Sequence, residues 1–261
     1  MSDDLELIRA AAVEAGALAV DMRKLDRLNV RSKDGGSPVT DADLEVDALL
    51  RRRLMAARPD YGWLSEETAD DESRLRTERT FLVDPIDGTA GYIRGRPGWA
   101  VSIAVVENGA PISGVLHAPA LGQTFEAARG SGARLNGAAI VVTDVDRLEQ
   151  CAILTDARML ERPEWPTPWP DMRVESRASV ALRMALVAAG EFDAVLALSG
   201  KCDWDLAAAD LILREAGGVA TDHLGGAFAY NQPSTRKPSL VCAGPALHPL
   251  ILQRVGHIEL V

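Results

Sequence analysis

Phe81-Leu82-Val83-Asp84-Pro85-Ile86-Asp87-Gly88-Thr89 is the stretch around which the rest of the chain organises. Three apolar residues read as a buried strand that delivers Asp84 at its C-terminal end, facing a crevice. Pro85 fixes its own φ and restrains the residue before it. A turn there carries Asp87 back beside Asp84, so two hard oxygen donors face one space. Gly88 lets the backbone approach a ligand closely. The N–H groups around Gly88 and Thr89 cradle a phosphate if a helix or turn begins there. A carboxylate pair beside a phosphate cradle is what metal-assisted phosphoryl transfer needs. The spacing D-x-x-D alone fits an ordinary capped turn; the full string is far more specific.

Before this stretch, Leu5, Ile8, Ala12, Ala15, Ala19 and Met22 recur at helical steps and predict a helix over residues 4–25. The turn Lys33-Asp34-Gly35-Gly36-Ser37-Pro38 follows. A second helix is predicted from Asp41 to Ala57, with Thr40 as N-cap and Asp43 three residues on. Tyr61 to Ser65 reads as extended and ends at Glu66-Glu67, and the polar stretch 69–79 is expected to be exposed. Beyond Thr89, Ala100 to Val106 and Ile112 to Leu116 flank Asn108-Gly109, a hairpin signal. Gln123 to Ala127 reads as a further strand, with turns at Gly130, Gly132 and Gly137. The last 110 or so residues alternate. Strands are predicted near 152–154, 194–198, 219–221 and 239–243, and a Pro/Trp-rich loop at 163–170. Helices are predicted at 179–189, at 205–216 before Gly217-Gly218, and from about 247. This is α/β order after an antiparallel middle. Residues 1–150 and 151–261 read as two lobes of one catalytic unit.

The chain has 261 residues, of which 47% are apolar and 25% charged, enough for a sizeable core and unlike a disordered or membrane protein. Its 28 basic and 38 acidic side chains give a net charge of −10. No Lys/Arg run forms a nucleic-acid footprint, so a nucleic-acid polymer is not an expected partner. An acidic surplus is ordinarily a solubility device, and becomes chemical where carboxylates converge on a cation. Cys151, Cys202 and Cys242 lack metal-ligand or disulfide spacing and fit reduced thiols in the cytoplasm. Met1-Ser2-Asp3-Asp4 is not a secretory start, and no apolar run is long enough to span a membrane.

Four blocks stand in order: Ser37-Pro38-Val39-Thr40 through Asp43; Ser65-Glu66-Glu67; Asp84 through Thr89; and Trp204-Asp205 through Gly217-Gly218. Together they resemble the inositol monophosphatase superfamily, which also holds 3′(2′),5′-bisphosphate nucleotidases and fructose bisphosphatases. The resemblance covers nearly the whole chain and implies a layered αβαβα sandwich of α/β (α+β) class. It implies a Mg²⁺-dependent, lithium-sensitive phosphatase of a small phosphorylated metabolite, holding two or three Mg²⁺. Glu66 then serves a first and a weaker further metal, Asp84 bridges two, and Asp87 and Asp205 hold the second. The Ile86 carbonyl completes the first. Asp43 and Thr89 resemble the pair that orients and deprotonates the attacking water, and Lys33 resembles a lysine that approaches the substrate phosphate. No covalent phosphoenzyme is expected, and relatives suggest a homodimer.

Each residue has an ordinary alternative. Asp43 and Asp205 sit where helix-capping acids sit. Glu66 and Glu67 suit an exposed turn, Lys33 a solvated loop, and Asp41 and Asp47 a polar helix face. Asp203 falls on the opposite side of its segment from Asp205. The histidines fit no metal spacing and read as structural or surface groups. For the substrate, the superfamily's inositol phosphatases carry a glutamate seven residues before the late aspartate, and here that position is Leu198. Ala90 through Arg96 and Gly114 through Pro119 look closer to the bisphosphate nucleotidase branch, with Arg94, Arg96 or Lys201 as bases for a second phosphate. Inositol, sugar and histidinol phosphates are the alternatives. The non-enzyme readings are a metal-bound regulatory domain or an acidic structural one.

Overall fold

The computed structural model describes residues 3–24, 28–33, 36–162 and 165–260. Met1, Ser2, the last residue of the first predicted helix, Asp34-Gly35 of the turn and residues 163–164 of the Pro/Trp loop lie outside the described residues. Helix α1 (Asp3–Lys24) buries Leu5, Ile8, Ala12, Ala15 and Ala19 along one face, as the spacing predicts. Strands β1 (Val30–Ser32) and β2 (Pro38–Thr40) form an antiparallel pair. They lead into α2 (Asp41–Ala57).

A seven-stranded sheet then follows in chain order: β3 (Gly62–Ser65), β4 (Arg79–Asp87), β5 (Ala100–Glu107), β6 (Ala110–Ala118), β7 (Gln123–Ala128), β8 (Ala133–Leu135) and β9 (Ala138–Ile140). β3 and β4 are parallel; the other neighbours are antiparallel. The short helix α3 (Thr89–Ile93) leaves β4. Asn108 and Gly109, at φ 51° and 78°, make the predicted hairpin turn.

β4 corrects the expected strand-then-turn. The strand does not end at Asp84 but runs on through Asp87, and its register slips between them. Asp84 faces Ser102 and Asp87 faces Ala100, so three steps along β4 match two along β5, a β-bulge. In a regular strand, positions three apart point to opposite faces. The extra residue returns Asp87 to the face of Asp84, and Pro85, lacking an N–H, sits where the ladder is already broken.

The second half alternates β10 (Ala152–Leu154), α4 (Ala157–Leu160), β11 (Arg173–Glu175), α5 (Val180–Ala188), β12 (Ala194–Ala197), β13 (Lys201–Cys202), α6 (Asp203–Glu215), β14 (Val219–Thr221), β15 (Arg236–Lys237), β16 (Leu240–Ala243) and α7 (His248–Val255). Its five-stranded sheet has the order β11-β10-β12-β16-β14, and β13 pairs with β15 apart from it.

Three apolar clusters define the layers. Phe81, Val83 and Ile86 pack under α1 and α2. Leu82 and Ala104 of the first sheet, Leu206 of α6 and Val195 of the second sheet share the central cluster. Ile251 and Val255 of α7 cover the outer face of the second sheet. The result is an αβαβα sandwich. Helices α5 and α6, from the second half of the sequence, lie against the sheet built by the first half, which brings Asp205 towards Asp84.

The stretch 69–79 is mostly exposed, as expected, with Arg74 the exception. Its 3₁₀ turn, Ser73–Arg76, buries Arg74 completely. The guanidinium is taken up by Asp70, the side chain of Asn231 and the Gln232 carbonyl. No helix among the described residues is long and apolar enough to cross a membrane.

Candidate active site

Asp84 and Asp87 reach the bulged face of β4 almost fully buried. Asp84 Oδ1 accepts the Ile86 N–H at 3.0 Å. Asp87 reaches across to the start of α5, where Ser179 Oγ and the Ala181 N–H donate to its Oδ2 at 2.5 and 2.7 Å. Ser179 also caps α5, its Oγ accepting the Leu182 N–H at 2.9 Å. Gly88 follows at φ 96° and is the N-cap of α3 without a side-chain bond. A Cβ there meets Ser179 N at 3.0 Å and the Gly98 carbonyl at 3.3 Å. Glycine is therefore required both for the left-handed backbone and for the approach of α5.

Asp43 divides its carboxylate between two tasks. Oδ2 accepts the Thr40 N–H at 2.7 Å and the Thr40 hydroxyl at 2.6 Å, and Oδ1 lies 2.9 Å from Thr89 Oγ1. Asp43 thus caps α2 with one oxygen and meets the Thr89 hydroxyl with the other. The Ile86 carbonyl also lies 3.0 Å from Thr89 Oγ1. One hydroxyl proton cannot serve both acceptors, and the carboxylate is the stronger. Burial raises the Asp43 carboxyl above its ordinary value, against the hydrogen bonds from Thr40 and Thr89.

Glu66 and Glu67 are bridged by one ammonium: Lys33 Nζ stands 2.8 Å from Glu66 Oε1 and 2.7 Å from Glu67 Oε1. Burial lowers the Lys33 pKa, but the two carboxylates outweigh it and the net shift is upward. Glu67, left as a peripheral or solvent-facing group by its sequence, keeps its side chain 4% exposed. Burial raises it to about 7 despite Lys33. Asp47 corrects the reading of a polar helix face. It is buried, bonds Ser65 Oγ, and accepts Thr68 Oγ1 at 2.6 Å, holding the turn that carries Glu66 from both sides. Asp41, by contrast, pairs with Asn29 and Arg31 at the surface.

Asp205 occupies the first turn of α6, its Oδ2 accepting the Cys202 N–H at 2.7 Å. Asp203 faces elsewhere: it is fully buried and takes Lys237 at 2.6 Å and the Asn231 N–H at 2.7 Å. Beside Asp87 and Asp205 opens a recess of about 490 Å³ that also holds Arg183, Lys201, Arg162 and Asp156. The three bases named for a second phosphate do not converge. Arg94 and Arg96 line a separate cavity of about 780 Å³, and Arg183 borders both. Arg183 is fixed from behind by the Arg177 carbonyl, which accepts its Nε–H at 2.6 Å. Sequence reasoning missed Ser179, Arg183 and Asp47 as parts of the site. Ser179 was visible as a helix start, but its partner 92 residues away was not.

The histidines stay structural in three cases: His117, His223 and His248 bond Thr124, Ser239 and Thr221. Burial pushes the Cys151 and Cys202 thiols up to about 11 and that of Cys242 higher still, so none is a ready nucleophile.

Electrostatics tie the acids together. Burial, then the charges of Glu66, Asp87 and Asp205, hold Asp84 well above the usual carboxylate range. Burial and Glu66 raise Asp87 to about 6 against the bonds from Ser179 and Ala181. Burial and Asp87 raise Asp205 to about 7. Among the described residues no three ligating side chains are drawn to single-ion distance; each carboxylate holds a backbone, hydroxyl or ammonium donor instead. The set nevertheless fits a hard divalent cation, because every donor is oxygen and the mutual repulsion is what such a cation relieves.

Buried carboxylates beside a hydroxyl–carboxylate pair and a basic recess are the equipment of a phosphate-ester hydrolase. Comparison with known proteins narrows the class: the inositol monophosphatase family model matches residues 2–259, and the chain belongs to that family. It is 33% identical over 264 residues to a histidinol-phosphatase of Chlorobaculum parvum, covering 99% of both chains. It is 36% identical over 237 residues to a fructose-1,6-bisphosphatase/inositol-1-monophosphatase of Thermotoga maritima, covering 88% and 87%. Among solved structures, the extragenic suppressor protein suhB of Bartonella henselae superposes with a TM-score of 0.84 at 29% identity, covering 99% of this chain and 100% of that one. The chain is accordingly a phosphoric monoester hydrolase of a generally metal-dependent family.

Proposed function

We propose that this enzyme is a Mg²⁺-dependent phosphomonoesterase acting on a small metabolite with a second anionic group, with a 3′(2′),5′-bisphosphate nucleotide as substrate. The observation that carries the reading is the basic recess beside Asp87 and Asp205, where Arg183 and Lys201 would face the second anionic group of a ligand whose scissile phosphate is held at the carboxylates. Glu66, Asp84, Asp87, Asp205 and the Ile86 carbonyl would hold two or three Mg²⁺. When bound, Mg²⁺ supplies Lewis-acid charge to phosphoryl oxygens and makes water acidic enough to attack. Thr89 Oγ1 takes a proton from the attacking water as its own passes to Asp43 Oδ1, 2.9 Å away. The N–H groups at Gly88 and Thr89, with Lys33, hold the phosphate. Residues 1–150 and 151–261 act as two lobes of one unit, supported by α6 carrying Asp205 to the first sheet. A cytoplasmic setting, supported by three free thiols, and a homodimer complete the reading.

The names of two relatives favour histidinol phosphate as a second reading. That substrate carries an ammonium, and beyond Asp87 and Asp205 the recess holds three bases, Arg183, Lys201 and Arg162, against one acid, Asp156, which disfavours it. Inositol phosphates lack their carboxylate partner at Leu198. The test is phosphate release, with Mg²⁺ varied, from adenosine 3′,5′-bisphosphate, inositol 1-phosphate, histidinol phosphate and fructose 1,6-bisphosphate. The nucleotide is expected to give the highest kcat/KM, and Arg183→Ala to lower it about tenfold or more. A preference for histidinol or inositol phosphate, kept in that variant, overturns the nucleotide assignment.

A further inference from the structure

The basic recess does not end at Lys201. A second cavity of about 530 Å³ adjoins it, sharing Arg162, Leu198, Ser199 and Gly200, and its far wall includes Trp165, Pro238 and His257. The Trp165 and His257 rings lie 6.1 Å apart at 81°. Two near-perpendicular rings make a corner: a flat ring laid on the face of one puts its edge against the face of the other.

Both walls of the corner are fastened. Trp165 Nε1 donates to the Met159 carbonyl at 2.7 Å, and its ring is braced edge-on by Trp169 at 5.4 Å. His257 sits on the tail after α7, pinned where His223 Nε2 approaches the Ile258 carbonyl at 3.1 Å. A carbonyl only accepts, so His223 carries its proton on Nε2. Its Nδ1 then accepts from Ser239 Oγ, 2.8 Å away. The tail is thereby tied to the second sheet.

We infer that this corner is a subsite for a flat, nitrogen-containing aromatic ring on the substrate, with Trp165 and His257 as specificity-determining residues. The inference rests on the phosphatase reading of the Asp84 centre. The chemistry of the walls favours such a ring over a polyol. Leu198, Trp165 and Pro238 give a sugar alcohol no hydrogen bonds, whereas each has a face for an aromatic ring. The same lining carries Arg162, Ser199 and Glu259, which can meet the nitrogens and amino groups of such a ring. A ligand with phosphate at one end, a second anion beside Arg183 and a heterocycle at the other end matches the order in which the two cavities present carboxylates, bases and aromatics.

The test uses His257→Ala, whose side chain is exposed, and Trp165→Leu. The first readout is kcat/KM for adenosine 3′,5′-bisphosphate relative to glycerol 2-phosphate, which has no ring. A drop of about tenfold in that ratio, through KM, is the size that base–aromatic stacking supports. The second is inhibition of glycerol 2-phosphate hydrolysis by adenosine, which carries no phosphate and needs no turnover of its own. Wild type is expected to show competitive inhibition that weakens about tenfold in each variant. His223→Ala, a positioning change, should weaken adenosine inhibition as His257→Ala does, because it frees the tail. Adenosine inhibition lost in the variants supports the subsite even if the bisphosphate is not hydrolysed, a result that sinks only the nucleotide assignment. Bisphosphate hydrolysis with an unchanged ratio and unchanged adenosine inhibition overturns the subsite and leaves that assignment standing.

Discussion

Asp43 gives one oxygen to Thr40 at the start of α2 and the other to Thr89, so a substitution there mixes stability with chemistry. Thr89 separates them. Thr89→Val keeps the shape and removes the hydroxyl; initial-rate kinetics should show kcat lower by about 10²–10⁴-fold, the span of a lost proton-transfer group, with KM little changed. Thr89→Ser should retain most of the rate. A threefold effect for the valine variant removes Thr89 from the proton path. Asp47 makes a different prediction, because it touches the turn beneath Glu66 rather than the centre itself. Asp47→Ala should raise the Mg²⁺ concentration for half-maximal activity about 10–100-fold, as loss of support behind a ligand does. Most of the rate should return at saturation, and an unchanged Mg²⁺ dependence in a titration of activity counts against that role.

At the scale of elements, the bulge in β4 and the cap of α5 meet at Asp87. Gly88 is the joint: its φ of 96° and the 3.0 Å approach of Ser179 N both exclude a side chain. Gly122 has a positive φ as well, 64°, but nothing within 4 Å of a built Cβ. Gly122→Ala therefore carries backbone strain alone, of about 1 kcal/mol. Gly88→Ala should lose about 1–3 kcal/mol more by denaturant unfolding, because α5 must also retreat. Equal losses contradict the close approach. Much of this element map was legible beforehand. α2 was predicted with its ends, since Thr40 and the apolar steps mark it, and Asn108-Gly109 fixed the β5–β6 hairpin. The bulge was not legible, because D-P-I-D suits a turn as well as a slipped register, and only pairing with Ser102 and Ala100 distinguishes them. The small pairs β1–β2 and β13–β15, two or three residues per strand, carry too little pattern to be seen. The buried role of Arg74 depends on Asn231, 157 residues away. In the site, the acids were legible through their motif strings, whereas Arg183 and Asp47 sit in segments that read as ordinary helix.

The whole molecule gathers six carboxylates, Asp43, Glu66, Glu67, Asp84, Asp87 and Asp205, and their titration should be visible in its stability. Asp87 is raised to about 6 and Asp205 and Glu67 to about 7, each chiefly by burial. Without divalent cation, the folded chain keeps protons that the unfolded chain releases from about pH 4 upward. Its stability therefore falls as pH rises from about 4 towards 7. Cation binding needs the ionised forms, so stabilisation by Mg²⁺ should grow across about pH 6–7 and level off above. Calorimetric melting with and without Mg²⁺ between about pH 5 and 8 reads both trends, and a Mg²⁺ shift that is constant or shrinks with rising pH contradicts them. The central claim, that Asp84 and its neighbours form a divalent-metal centre for phosphate-ester hydrolysis, is tested most directly by phosphate release against Mg²⁺ concentration in wild type and Asp84→Asn. The account predicts no turnover in chelator, saturable activation of the wild type, and loss of most activity in the variant at saturating Mg²⁺. Turnover in chelator, or near-normal turnover by the variant, would contradict it.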